Sequence, residues 1–120
     1  MITSKYFKEE EFKKASPACS LQDMDQEFMN KLDKARELAG IPFIVNSAYR
    51  TVEHEKKMKR DGKSAHTQKC AVDIKSLNGS SHWKIINAAL KAGFNRIGVN
   101  QTFIHLDSSK TLPQNVIFTY

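Results

Sequence analysis

Apolar side chains recur along this chain with two different periods. Leu21, Met24, Phe28, Leu32, Ala35 and Ala39 repeat at helical spacing, which marks one buried helix face. Ser20 stands where it can cap the start, and Gly40 followed by Pro42 stops the helix. Trp83, Ile86, Ala89 and Leu90 predict a second amphipathic helix, capped by Ser81 in the loop Asn78-Gly79-Ser80-Ser81 and closed at Gly93. Between them the charged stretch from Val52 to Arg60 reads as an exposed helix ending near Gly62. Extended segments are expected at Phe43 to Tyr49, Cys70 to Ile74, Arg96 to Val99 and Thr102 to Asp107, with Asn100-Gln101 folding the last two into a hairpin. Tyr6 to Phe12 reads as a short helix or an extended arm whose aromatic residues pack, and Val116 to Phe118 is one last apolar run.

The 120 residues fall within the size of one domain and can bury one moderate core. No repeat or linker interrupts them, so a single domain over 1–120 is expected, acting as a monomer. No apolar run approaches the ~20 residues that span a bilayer, so no membrane insertion is expected. Met1 to Glu10 lacks the apolar stretch and cleavage site of a secretory signal, which predicts synthesis in the cytoplasm without a leader. Cys19 and Cys70 have no CxxC spacing and read as free thiols. The net charge of +6 favours an anionic partner such as nucleic acid, an acidic lipid surface or a cell-wall polymer. A nucleic-acid domain would also need a stacking platform or a recognition helix; with neither evident, no nucleic-acid partner is expected. Lys56, Lys57, Lys59, Arg60 and Lys63 read as a solvated helix face.

The strands carry the candidate chemistry. With a period of two, Cys70, Val72 and Ile74 share one face while Ala71 and Asp73 share the other. Phe103, His105 and Asp107 likewise lie opposite Ile104 and Leu106, and alternation in Phe43 to Arg50 groups Asn46 with Arg50. His66 precedes Asp73 in a loop that can fold over the end of the sheet. Two imidazoles and a carboxylate form a common catalytic zinc set, because three protein ligands leave a fourth tetrahedral position for water. His54 and His82 read as solvated or structural.

These residues resemble a known family. Ser64-Ala65-His66-Thr67-Gln68-Lys69-Cys70-Ala71-Val72-Asp73-Ile74 is similar to the S-x-H-x-x-G-x-A-x-D signature of zinc D-alanyl-D-alanine carboxypeptidases and L-alanyl-D-glutamate endopeptidases, which share a fold with hedgehog signalling domains. Ser47-Ala48-Tyr49-Arg50-Thr51 resembles that family's S-x-Y-R-[ST] segment, and Phe103-Ile104-His105-Leu106-Asp107 resembles the H-x-D ending of its short, often phage-encoded branch. The resemblance implies an α+β fold, with helices on one face of a small antiparallel sheet and a zinc cleft on the other. It implies a Zn2+ site of His66, Asp73 and His105, a substrate drawn from peptidoglycan stem peptides, and action at the bacterial cell wall. Arg50 then binds substrate or steadies the oxyanion, and Ser64 lies at the substrate-binding segment. Two positions depart from the pattern. Lys69 stands where the family has glycine, so a turn with positive φ would be strained. Thr102 stands where several relatives carry an acidic general base. Asp107 is then the candidate base, or else the carboxylate that orients His105, and Glu53 and Glu55 are remoter candidates. A metal-containing wall-binding module without catalysis is the alternative.

Overall fold

In the computed structural model, which describes residues 1–120, four helices and five strands carry the chain. An N-terminal arm leads into helix α1 (Glu9–Lys13) and buries Phe7 and Phe12. The arm is fixed by a buried carboxylate: Asp33 accepts hydrogen bonds from the Ser4 hydroxyl and from the backbone N–H groups of Lys5 and Tyr6. The expected helix from Leu21 is broken in two. Leu21–Asp23 forms a single 3-10 turn capped by Ser20, and α2 (Gln26–Ala39) starts afresh behind Asp25, whose side chain accepts the Phe28 N–H. Met24 is extended between them, and the Asp25 N–H is bonded to the Lys69 carbonyl. Gly40 closes α2 with φ +69°, as its position implied.

Strand β1 (Val45–Ser47) is shorter than the pattern suggests, and its pairing with β2 (Ala71–Lys75) slips between Val45 and Ser47. That slip breaks the alternation, so Asn46 is exposed while Arg50 reaches the polar side of the sheet. Helix α3 (Val52–Lys57) is capped by Thr51, and its Glu55 is fully buried, contrary to the expectation of an exposed helix. Helix α4 (Gly79–Ala92) begins earlier than expected because Asn78, not Ser81, is the cap: its side chain accepts the Ser81 N–H. The buried face of α4 is Ile85, Ala88 and Ala89; Trp83 and Leu90 are more than half exposed, so they do not form the inward stripe.

Strands β3 (Arg96–Val99) and β4 (Phe103–Asp107) form the expected hairpin, and β5 (Val116–Thr119) completes a sheet of order β1-β2-β4-β3-β5. The sheet is not wholly antiparallel. After β4 the chain crosses back past β3 and enters β5 in the same direction as β3, so this edge pair is parallel. Val72, Ile74, Ile97, Ile104 and Leu106 join Phe28, Leu32, Ile85 and Ala89 in one core. The alternate residues of the same strands are left to line a polar cleft. No helix is long and apolar enough to cross a membrane.

Candidate metal centre

The central strand pair sets the geometry. In the β2–β4 register Asp73 lies directly opposite His105, and the pleat turns both side chains away from the core. His66 arrives from a 3-10 turn, Ala65–Gln68, in which the Ser64 hydroxyl accepts the His66 backbone N–H. Left-handed Lys69, with φ +68°, then turns the chain into β2. This is the conformation for which glycine is suited, and here a lysine bears it.

One carboxylate oxygen gathers both imidazoles. Asp73 Oδ1 lies 2.9 Å from His105 Nδ1 and 3.3 Å from His66 Nε2, and one donor atom from each of the three residues lies within 4.8 Å of the others. The far nitrogen of each ring is pinned. His66 Nδ1 is 2.6 Å from the Ala48 carbonyl oxygen, which can only accept, so that nitrogen carries the proton and Nε2 faces inward with its lone pair when the ring is neutral. His105 Nε2 is 2.6 Å from Asp107 Oδ2, which fixes the opposite tautomer and leaves Nδ1 facing Asp73. Such outer hydrogen bonds are how ligand histidines are oriented in metal sites.

The group is buried: His66 and His105 are 2% and 5% exposed, and Asp107 is 0% exposed. Burial alone would raise the Asp73 carboxyl, but hydrogen bonds from His105 and His66 outweigh it and hold this group well below the usual carboxylate range. Burial would lower His105, yet its bonds to Asp107 and Asp73 raise it instead. Two imidazoles and one ionised carboxylate suit a transition metal of the zinc type, whereas calcium or magnesium would call for oxygen ligands throughout.

Arg50, Arg60, Ser64, Arg96, Phe103, Leu112, Phe118 and Tyr120 line the same cleft. Arg50 is held by Glu55, whose Oε1 lies 3.5 Å from its Nε, and Arg60 bonds the other oxygen of Glu55 at 2.6 Å. Burial pushes Glu55 up, but the Arg60 hydrogen bond and the charges of Arg50 and Arg60 bring it below the ordinary range. Glu55 is thus a counter-ion beneath the arginines, and exposed Glu53 does not line the cleft. Thr102 faces a separate hollow with His82 and Asn100. His82 itself bridges Ser76 Oγ and the Asn100 carbonyl, outside the metal group. Asp107 has no free oxygen: Oδ2 also accepts from Arg96 Nε at 3.0 Å, and Oδ1 accepts the Ser109 N–H at 2.9 Å.

Some of these roles have no signal in the sequence: Arg60 lies in a run that reads as solvated, Arg96 carries no motif, and Glu55, a remoter candidate for the base, is instead the partner of two arginines. Gly98 is the least visible of all. A Cβ built there would stand 2.6 Å from Phe118 Cε2, so the absent side chain is what lets Phe118 cross β3 and reach the His105 ring, at 5.6 Å between centroids.

A family profile described as Peptidase M15 matches residues 5–107. No curated protein and no solved structure matches the chain. The profile match runs from the N-terminal arm through β4 and takes in His66, Asp73 and His105 together, and so this chain belongs to the Peptidase M15 family of peptidases.

Proposed function

We propose that the chain is a zinc-dependent peptidase that hydrolyses amide bonds in peptidoglycan stem peptides, of the D-Ala-D-Ala carboxypeptidase or L-Ala-D-Glu endopeptidase type. His66, Asp73 and His105 would hold the ion, in a cleft on the sheet face opposite the helices. The observation that carries this reading is the paired arrangement of the two histidines, each with its outer nitrogen tied to an acceptor and its inner nitrogen turned toward one Asp73 oxygen. Bound zinc supplies a Lewis acid and can bring the pKa of its water to about 7.

The chain's own residues do the rest. Asp107 fixes the His105 tautomer, with Arg96 and Ser109 fixing Asp107 in turn. Arg50, steadied by Glu55, presents a permanent positive charge to the cleft, suited to a substrate carboxylate or to the negative charge that develops on the scissile carbonyl oxygen. Ser64 caps the turn that carries His66 and lines the same cleft, where it would meet substrate. Hydrolysis adds water oxygen to the carbonyl carbon, breaks the C–N bond and delivers a proton to the departing nitrogen.

The test is digestion of purified peptidoglycan with and without a chelator, products being resolved by mass spectrometry, together with metal analysis of the protein and its His66→Ala variant. We expect released peptide or D-alanine that disappears on chelation and returns with zinc, near-stoichiometric zinc in the parent, and a large loss in the variant. Cleavage that ignores chelation removes the zinc mechanism. No product under any metal leaves a wall-binding module.

A further inference from the structure

The residues after Asp107 lie beyond the family match, yet they build one wall of the cleft. β5 pairs in parallel with β3 so that Phe118 stands beside Gly98 and lies over His105. Tyr120 follows at the rim, its ring 5.1 Å from Phe103 and 5.7 Å from Phe118. Two aromatic neighbours thereby restrict a side chain that is otherwise 66% exposed. It lines the cleft together with Asp73, His105 and Arg50, and no protein group hydrogen-bonds its hydroxyl. In sheet order, Arg50 enters from the β1 side and Tyr120 from the β5 side. A peptide lying across the metal group would run between them.

We propose that Tyr120 is a further catalytic residue, whose phenol O–H donates a hydrogen bond to the scissile carbonyl oxygen as that oxygen gains negative charge, from the side of the cleft opposite Arg50. The proposal rests on the peptidase reading above. The phenol keeps its proton throughout; the hydrogens gained by the products come from water. A neutral donor held in place by ring packing is suited to this role, because it needs little reorganisation when the charge appears.

Tyr120→Phe keeps the ring stack and removes only the donor, so the fold should stand, which far-ultraviolet circular dichroism and the urea midpoint of the zinc-loaded protein check. Loss of one oxyanion donor costs about 10²–10³ in kcat when fully buried, and at this open rim we expect about 10- to 100-fold with KM changed less than about threefold. The second readout is calorimetric binding of a phosphinate dipeptide analogue, whose tetrahedral anionic oxygens mimic the intermediate. Its affinity should fall by a similar factor, while zinc content stays at the parent level. Parent-like kcat and parent-like phosphinate affinity in Tyr120→Phe would overturn the role of Tyr120 and leave the peptidase reading intact. A parent protein that holds zinc but neither cleaves peptide nor binds phosphinate would overturn both.

Discussion

Asp107→Asn separates two roles that a carboxylate beside a ligand histidine can hold. In the parent protein all three partners of Asp107 are donors: His105 Nε2 at 2.6 Å, Arg96 Nε at 3.0 Å and the Ser109 N–H at 2.9 Å. Asparagine has one acceptor oxygen, so its NH2 must face at least one of them. Facing Ser109, it leaves a buried N–H unpaired, which costs about 1–3 kcal/mol of stability. Facing His105, it removes the acceptor that selects the tautomer, and the proton shifts to Nδ1, the atom turned toward Asp73. That nitrogen then cannot bind an ion.

Changes of this kind weaken metal binding by about 10- to 100-fold, which at 1.36 kcal/mol per decade is roughly 1.4–2.7 kcal/mol. Zinc affinity would be measured by competition with a chromophoric chelator at neutral pH, and kcat separately at saturating zinc. We expect the dissociation constant to rise by that factor, and kcat of the fully loaded variant to stay within about tenfold of the parent. The opposite split, unchanged zinc affinity with kcat reduced about 10²–10⁴-fold, is the signature of a lost general base. It would refute the orienting role.

Other outcomes follow from single observations. His105 must be neutral to bind zinc; although burial opposes it, Asp107 and Asp73 raise its pKa, so zinc affinity should fall as pH drops through and just above the ordinary imidazole range. In the metal-free protein the same raised value stabilises the fold below the unfolded pKa and is lost as pH rises through the folded one; calorimetry in two buffers should show proton release on zinc binding at neutral pH, and none would contradict the shift. Lys69→Gly relieves a left-handed residue worth about 1–2 kcal/mol, against about 0.5–1 kcal/mol of added chain entropy and a weak Lys69–Tyr49 contact at 6.0 Å. The net should be up to about 1 kcal/mol of stabilisation in urea melts, and a lower midpoint at unchanged slope would refute it. Gly98→Ala forces Phe118 off its seat and should cost about 1–3 kcal/mol, with Phe118 displaced from His105; an unchanged melt would show that the strand can yield.

What could be read from the residues divides along a physical line. Facing positions along one strand depend only on a period of two, so the shared side of Asp73 and of His105 was legible before their register was known. His66 was legible as a ligand candidate through its motif, and the glycine position at Lys69 foretold a left-handed turn. By contrast, the break between Leu21–Asp23 and α2 depends on a tertiary bond from Asp25 N–H to the Lys69 carbonyl, and no local pattern records it. The role of Glu55 lay hidden for a related reason: the sequence offers it only as a remote base on an exposed helix, and only the approach of Arg50 and Arg60 makes burial of its carboxylate tolerable. The parallel edge strand was hidden too, since a short apolar run does not state which neighbour it pairs with or in which direction. Yet that strand brings Phe118 and Tyr120 to the cleft. The candidate ligand set was therefore written in local sequence, while the surroundings that would tune it were written in contacts between distant segments, and the Gly98 and Tyr120 variants test the second kind of information separately from the first.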